Sequence, residues 1–343
     1  MTINVPVKEY NGYKICLMRD SDAPAVVNIY RTIYGDQYPI KEMYDSRYII
    51  AQQEEGLMYR VLARDSEGKV LAHHAMYRLK ENYSGLYEGG QGMVLPEGRG
   101  KAFSNVLQDY MAQVLAPAVG VEELWGESVT NHVFMQKAVL FVGGKETGIE
   151  LEVMPAESYE AEKSSPGRVS TVVSNFVLKE KPHTVFLPPP YAPLLKKIYD
   201  NAKRDRKFDA GTKDLSDSVK TRYANTFIPS AGVLRITLFE AGKDAGEIIA
   251  DLVQKHTAAG AVVLQVFIPL GKAYSGTLTE LLNRQGFFFA ALVARWFDAD
   301  GLMLQKLVQP TNYDNIHLHS TFAKDMLKFI IQDRNRVEAM AAW

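Results

Sequence analysis

The stretch "VLPEGRGKAFSNVLQDYM", Val94 to Met111, decides how the chain is read. An apolar run breaks at Pro96, and a short turn carries Gly98, Arg99, Gly100 and Lys101. Phe103, Val106, Leu107, Tyr110 and Met111 then recur at three- and four-residue spacing. This order predicts a strand, a small basic turn and an amphipathic helix, with Val114 and Leu115 extending the apolar face and Pro117 ending it. A helix N-terminus presents unpaired N–H groups and the positive end of its dipole. Small residues let an anion approach these groups, and Arg99 and Lys101 add charge.

Working outward, "YKICLM" reads as a strand, and "DSDAPAVVNIYRTIY" as a helix capped by Asp20 or Ser21. "MYRVLARD" and "KVLAHHAMYRL" flank Ser66-Glu67-Gly68 as a hairpin, and a further strand, Leu86 to Leu95, enters the turn. Beyond the helix come a strand ("ELWGESVT"), a helix ("NHVFMQKAVLFVG") and a strand ("GIELEVM"). The fold class expected is α/β, a mixed twisted sheet flanked by helices. The polar stretch Glu157 to Arg168 predicts a boundary, giving domains of residues 1–158 and 159–343. The second half repeats the rhythm of the first, with "VLRITLF" and "AVVLQVFIPL" as strands around a helix and "FFFAALVARWF" and "GLMLQKL" as paired strands. Duplication of one α/β unit is therefore expected. The basic run Lys203 to Lys207 is read as a solvated face of a helix that begins at Ala192.

Composition narrows the function. A net charge of -1 gives no support to nucleic-acid or bulk membrane binding, and one cysteine, Cys16, rules out an internal disulfide. No apolar run reaches the ~20 residues of a membrane span. A cytoplasmic protein is expected, and homo-oligomerisation stays open. His73 and His74 adjoin on a strand and point to opposite faces, and His317 and His319 lack completing ligands, so no metal site is expected.

Two phosphate motifs fail in the turn. Leu95 stands where the first glycine of a Walker loop belongs, and Gly89 to Gly100 fit no Gly-x-Gly-x-x-Gly register. A third pattern fits better. Arg99-Gly100-Lys101-Ala102-Phe103-Ser104 resembles the Arg/Gln-x-x-Gly/Ala-x-Gly/Ala loop of the GCN5-related N-acetyltransferase (GNAT) superfamily. The preceding "MVLP" resembles the end of that family's fourth strand, and Asn131 its frequent asparagine opening the next helix. The closing Gly-Phe appears as Gly143-Gly144, a departure. The likeness covers residues 13–154 in element order and the second half in outline, where "FEAGKDAG" would be a degenerate copy of the turn.

The resemblance implies acetyl-coenzyme A or a longer acyl-coenzyme A as cosubstrate. Its pyrophosphate would rest on Arg99 to Ser104, and its pantetheine arm on the backbone of Met93, Val94 and Leu95. A small-molecule or peptide amine would attack the thioester directly in a ternary complex, with a backbone N–H near Met93 or Val94 stabilising the oxyanion. Glu88 is the candidate proton acceptor, and Gln91 a candidate to orient a water in its place. The tyrosine that commonly protonates the departing thiolate is replaced by Val139. Two other functions stay open: an aminoacyl-tRNA-dependent ligase of two such domains, and a coenzyme A-binding sensor without turnover.

Overall fold

In the computed structural model, which describes residues 3–36, 38, 40–78, 83–159 and 167–341, the first strands pair as antiparallel neighbours in chain order. They are β1 (Lys8–Tyr10), β2 (Tyr13–Leu17), β3 (Met58–Arg64), β4 (Val70–Tyr77) and β5 (Leu86–Val94). The hairpin at Ser66–Gly68 joins β3 to β4 as its turn residues predict. Helices α1 (Ala23–Tyr34) and α2 (Ser46–Glu54) cover one face. There Val26, Ile29 and Ile49 pack on Met58, Leu62 and Ala75. Helix α3 (Phe103–Tyr110) covers the other, with Phe103, Val106 and Leu107 against Val61, Ala63 and Met76. Both faces of β3 and β4 are thus core, which is why their residues are buried almost without alternation, Arg60, Arg64, His73 and His74 included.

The helix does not end at Pro117. After α3 the chain widens into a π-helical turn, Met111–Leu115, and resumes as α4 (Ala116–Val119), closed by Gly120 at φ 83°. Pro117 sits in the first turn of α4, where its missing N–H is no loss, and the wider turn before it makes room for the ring.

Strands β6 (Glu123–Val129), β7 (Lys145–Met154) and β8 (Val169–Val177) follow, with α5 (Phe134–Phe141) between β6 and β7. Strand β6 is parallel to β5, and β8 lies between β6 and β7. The polar segment expected as a boundary, of which residues 160–166 lie outside the described ones, therefore joins two strands of one sheet unit. By strand pairing the first unit runs through Val177, and a cut at 158/159 would part β8 from both its neighbours.

The second half comprises β9 (His183–Leu187), α6 (Ala192–Asn201), β10 (Arg206–Ala210), β11 (Arg222–Ile228), β12 (Val233–Glu240), α7 (Ala245–Ala258), β13 (Val263–Pro269), α8 (Ser275–Arg284), β14 (Phe288–Val293), β15 (Gly301–Leu307) and α9 (Thr321–Ala341). Strands β9 and β10 form a separate parallel pair. The basic run is not a helix face. Helix α6 stops at Asn201, and Arg204 and Arg206 turn inward, onto Glu123 and Glu180 and onto Asp300 and Glu180. The carboxylates that draw them in come from distant segments, which local periodicity does not register.

The large sheet runs β1-β2-β3-β4-β5-β6-β8-β7-β14-β15-β13-β12-β11. Read inward, β5-β6-β8-β7 and β12-β13-β15-β14 are the same sequence of strands: a parallel pair, then a hairpin whose second strand inserts beside it. The two four-strand sets meet where β7 pairs β14 at Gly148 and Ala291. A Cβ on Gly148 would fall 2.0 Å from the Ala291 Cβ and 2.4 Å from the Ala290 carbonyl oxygen, so only glycine allows this approach. Gln305 of β15 replaces the missing ladder. Its Oε1 accepts from the Leu151 N–H at 2.8 Å, and its Nε2 donates to the Ile149 and Phe289 carbonyls.

Candidate functional site

Strands β5 and β6 pair only from Leu86–Glu123 to Glu88–Trp125. Beyond Glu88 they part. The cause lies on the other edge of β5, where Gln91 and Gly92 together oppose His74 in a bulge and Gln91 adopts φ 53°. The bulge turns β5 away, and Met93, Val94 and Leu95 lead out of the opening into the turn. Met93 and Leu95 are buried among the residues under α1, while Val94 packs toward α3.

The turn itself is exposed at Arg99, Gly100 and Ala102. Ala102 caps α3 in the left-handed region at φ 57°. Among the described residues, nothing accepts from the backbone N–H groups of Gly100, Lys101, Ala102, Phe103 and Ser104. Five successive open donors at the positive end of α3 form an anion cradle. Lys101 stands beside it but is engaged: its Nζ donates to the Tyr13 hydroxyl at 2.7 Å and lies 4.9 Å over that ring. Asn131 is half-buried just past the end of β6, and Val139 lies on α5, half-buried against Gly144.

Glu88 is the last residue before the strands part, half-buried, on the face covered by α1. The Tyr77 hydroxyl donates to its carboxylate in a short hydrogen bond. Removal from water, and then the charge of Glu127, push its pKa up to about 8, against the pull of Arg235 and Tyr77. Gln91 does not join it. The Gln91 Oε1 accepts from the Tyr30 hydroxyl at 2.6 Å, which ties the bulge to α1.

Three further residues belong to the same polar group and are not legible as site residues in the sequence. Glu127 lies two residues along β6 from Trp125, in the gap. Arg235 of β12 reaches it at 2.6 Å and Glu150 of β7 at 3.2 Å. Gln265 donates to Glu150 at 2.8 Å, and Thr171 donates to its other oxygen at 2.7 Å. Glu150, like Glu88, is held above the usual carboxylate range by burial and by the Glu127 charge. A signal exists in "ELWGESV", where Glu123 and Glu127 share a strand face with Trp125. Nothing local shows that β12 of the other half supplies the cation.

A separate groove of ≈ 470 Å³ opens where β12 and β13 end, between Phe239, Glu240, Pro269, Lys272 and Trp296, with Tyr83 of the first half on its rim. It contains none of the residues named for the first-half site. Among the described residues no cluster suited to a metal ion occurs, and no helix is long and apolar enough to cross a membrane.

No family model and no curated protein matches the sequence. Similar solved structures exist. One is the ribosomal-protein-S5-alanine acetyltransferase of Vibrio fischeri, with 11% identity over 50% of this chain and 96% of that one and a TM-score of 0.40. Another is a GCN5-related N-acetyltransferase of Kribbella flavida, with 19% identity over 49% of this chain and 98% of that one and a TM-score of 0.39. A third is a GNAT-superfamily phosphinothricin acetyltransferase of Sinorhizobium meliloti in complex with acetyl-coenzyme A. It shows 16% identity over 49% of this chain and 89% of that one, with a TM-score of 0.40.

Proposed function

We propose that the chain is an acyl-coenzyme A-dependent N-acyltransferase whose chemistry is in the first half, the second half being a related unit that lost the coenzyme turn. The observation that carries this reading is the parting of β5 from β6 directly before an exposed turn with five open N–H donors. A pyrophosphate fits such donors, and a strand edge released from its neighbour offers the backbone of Met93 to Leu95 to an extended amide-bearing arm. The residues present thus suit a coenzyme A thioester, which when bound would supply the activated acyl group.

An acceptor amine arrives largely protonated and must lose a proton before it attacks. Glu88 stands where the strands part, and with its pKa near 8 it is matched to taking that proton close to neutral pH. Tyr77 holds the carboxylate in place. Val139 offers no proton to the departing thiolate, and a thiolate of ordinary acidity leaves without one.

Purified protein is tested by thermal melting with coenzyme A, then by thiol release from acetyl-coenzyme A against an amine panel. Stabilisation with release supports the reading. Stabilisation without release from any amine supports the sensor reading, and no stabilisation removes both.

A further inference from the structure

Arg60, on β3, is 0% exposed, and no described carboxylate forms an ion pair with it. Its Nη2 lies 3.3 Å from the Met43 sulfur, and its Nε and Nη1 have no hydrogen-bond partner among the described residues. The Tyr30 hydroxyl is hydrogen-bonded to the guanidinium, Tyr38 and Tyr48 lie near enough to act on its charge, and burial lowers its pKa. His73, on the neighbouring strand, is equally buried, and both its ring nitrogens lack partners; its ring lies 5.4 Å from that of Tyr30. A buried guanidinium is normally paired, because an unpaired one forfeits its hydration and gains nothing in return. The fold therefore keeps a cation and a neutral imidazole in an aromatic box with no carboxylate among the described residues.

Register connects this box to the reaction site. Arg60 lies opposite Ala75, Ala75 opposite Gly90, and Tyr77 opposite Glu88, so Arg60, Tyr77 and Glu88 share one face. Strands β3 and β5 are two spacings apart, about 10 Å. Tyr38 feels the charge of both. Glu88, Gly90 and Gln91 are only half-buried, so this face is open to solvent beside β5.

We propose that Arg60 binds a carboxylate of the acceptor, so that the acceptor is an amino acid or another amine carrying a carboxylate a short chain away. The carboxylate takes the open Nε and Nη1 of Arg60, with a His73 nitrogen as a further donor, while the amine lies toward Glu88. This rests on the acyl-transfer reading above, and binding is measured separately for that reason.

The test pairs glycine and lysine with methylamine and cadaverine, which lack only the carboxylate. Wild-type protein should prefer the carboxylate-bearing member by roughly 10- to 100-fold in kcat/KM, the range of a charge-assisted hydrogen bond. Arg60→Met should reduce that ratio to near one, and Arg60→Lys should retain part of it. Without ligands, Arg60→Met should melt above wild type, because a buried charge with no partner is gone. Equal use of both members by wild type, or an undiminished preference in Arg60→Met, overturns the proposal. If no amine is acylated, the acyl-transfer reading falls and melting with glycine or lysine alone decides. A shift in wild type that is lost in Arg60→Met supports the carboxylate site, and no shift in either overturns it. Should Arg60→Met fail to fold, the wild-type Arg60 Nε–H resonance on titration with the same probes replaces it: movement supports the site, and a fixed resonance overturns it.

Discussion

The two halves contain the same strand–turn–helix, and the turns differ in what occupies them. After β5 the N–H groups of Gly100 to Ser104 have no acceptor among the described residues. After β12 the corresponding place is filled by residues 216–221. Gly242 donates to the Thr221 hydroxyl at 3.0 Å, Lys243 donates to the Ser216 carbonyl at 3.3 Å, and the Asp244 carboxylate accepts from the Thr221 N–H at 3.1 Å. A Cβ on Gly242 would fall 1.8 Å from the Val219 carbonyl oxygen, so the loop lies directly on the turn. Asp244 also places a negative charge at the positive end of α7. The second turn carries its own anion and its own covering loop, whereas the first offers the same helix-end chemistry to a ligand. Strand order alone thus does not leave a helix end free for a ligand; the donors must also be left open.

The strongest way to break this contrast is to remove the proposed base from the open half. Glu88→Gln should lower turnover about 10²- to 10⁴-fold, the usual loss for a general base, while the coenzyme A melting shift stays. The sign of the pH effect follows from the raised pKa. Glu88 accepts a proton only when ionised, so wild-type kcat/KM should climb as pH rises through about 8, and this titration should vanish in the variant. Equal pH profiles would show that another group takes the proton.

Next in size is the double change Arg99→Glu with Lys101→Glu, which should abolish stabilisation by coenzyme A and lower the unliganded melting temperature only slightly, through the lost Lys101–Tyr13 contacts. An equal shift in variant and wild type would place the coenzyme elsewhere, and the groove at Phe239 and Lys272 would then be the place to look. At the seam, Gly148→Val should destabilise by about 1–3 kcal/mol, as overpacking does, because its first side-chain atom meets backbone of β14. A chemical melt in which the variant matches wild type would show that the halves are not held at that contact. The smallest effect belongs to the closed turn. Asp244→Ala should cost about 1 kcal/mol, the worth of the hydrogen bonds from Thr221, and should create no coenzyme A shift, since residues 216–221 still cover the helix end.

Much of this was readable in advance. Glycine, proline and the three- and four-residue apolar spacing located the strand, turn and helix from Val94 onward, and the repeated rhythm pointed to a second unit. Two local readings failed for a shared reason. Pro117 and the Lys203–Lys207 run have strong local meanings, but a π-helical turn absorbs the first, and buried Glu123, Glu180 and Asp300 override the second.

Local order was set by the sequence itself, because side-chain period, turn residues and helix breakers act within a few residues of one another. The strand, turn and helix from Val94 onward were visible for that reason. Tertiary structure decided the rest. It placed β8 beside β6, brought Arg235 within reach of Glu127 and Glu150, and enclosed Arg60 without a counter-ion among the described residues. These facts depend on strands that lie far apart in the chain, and a charge acquires its partner, or its lack of one, only when the sheet has closed around it.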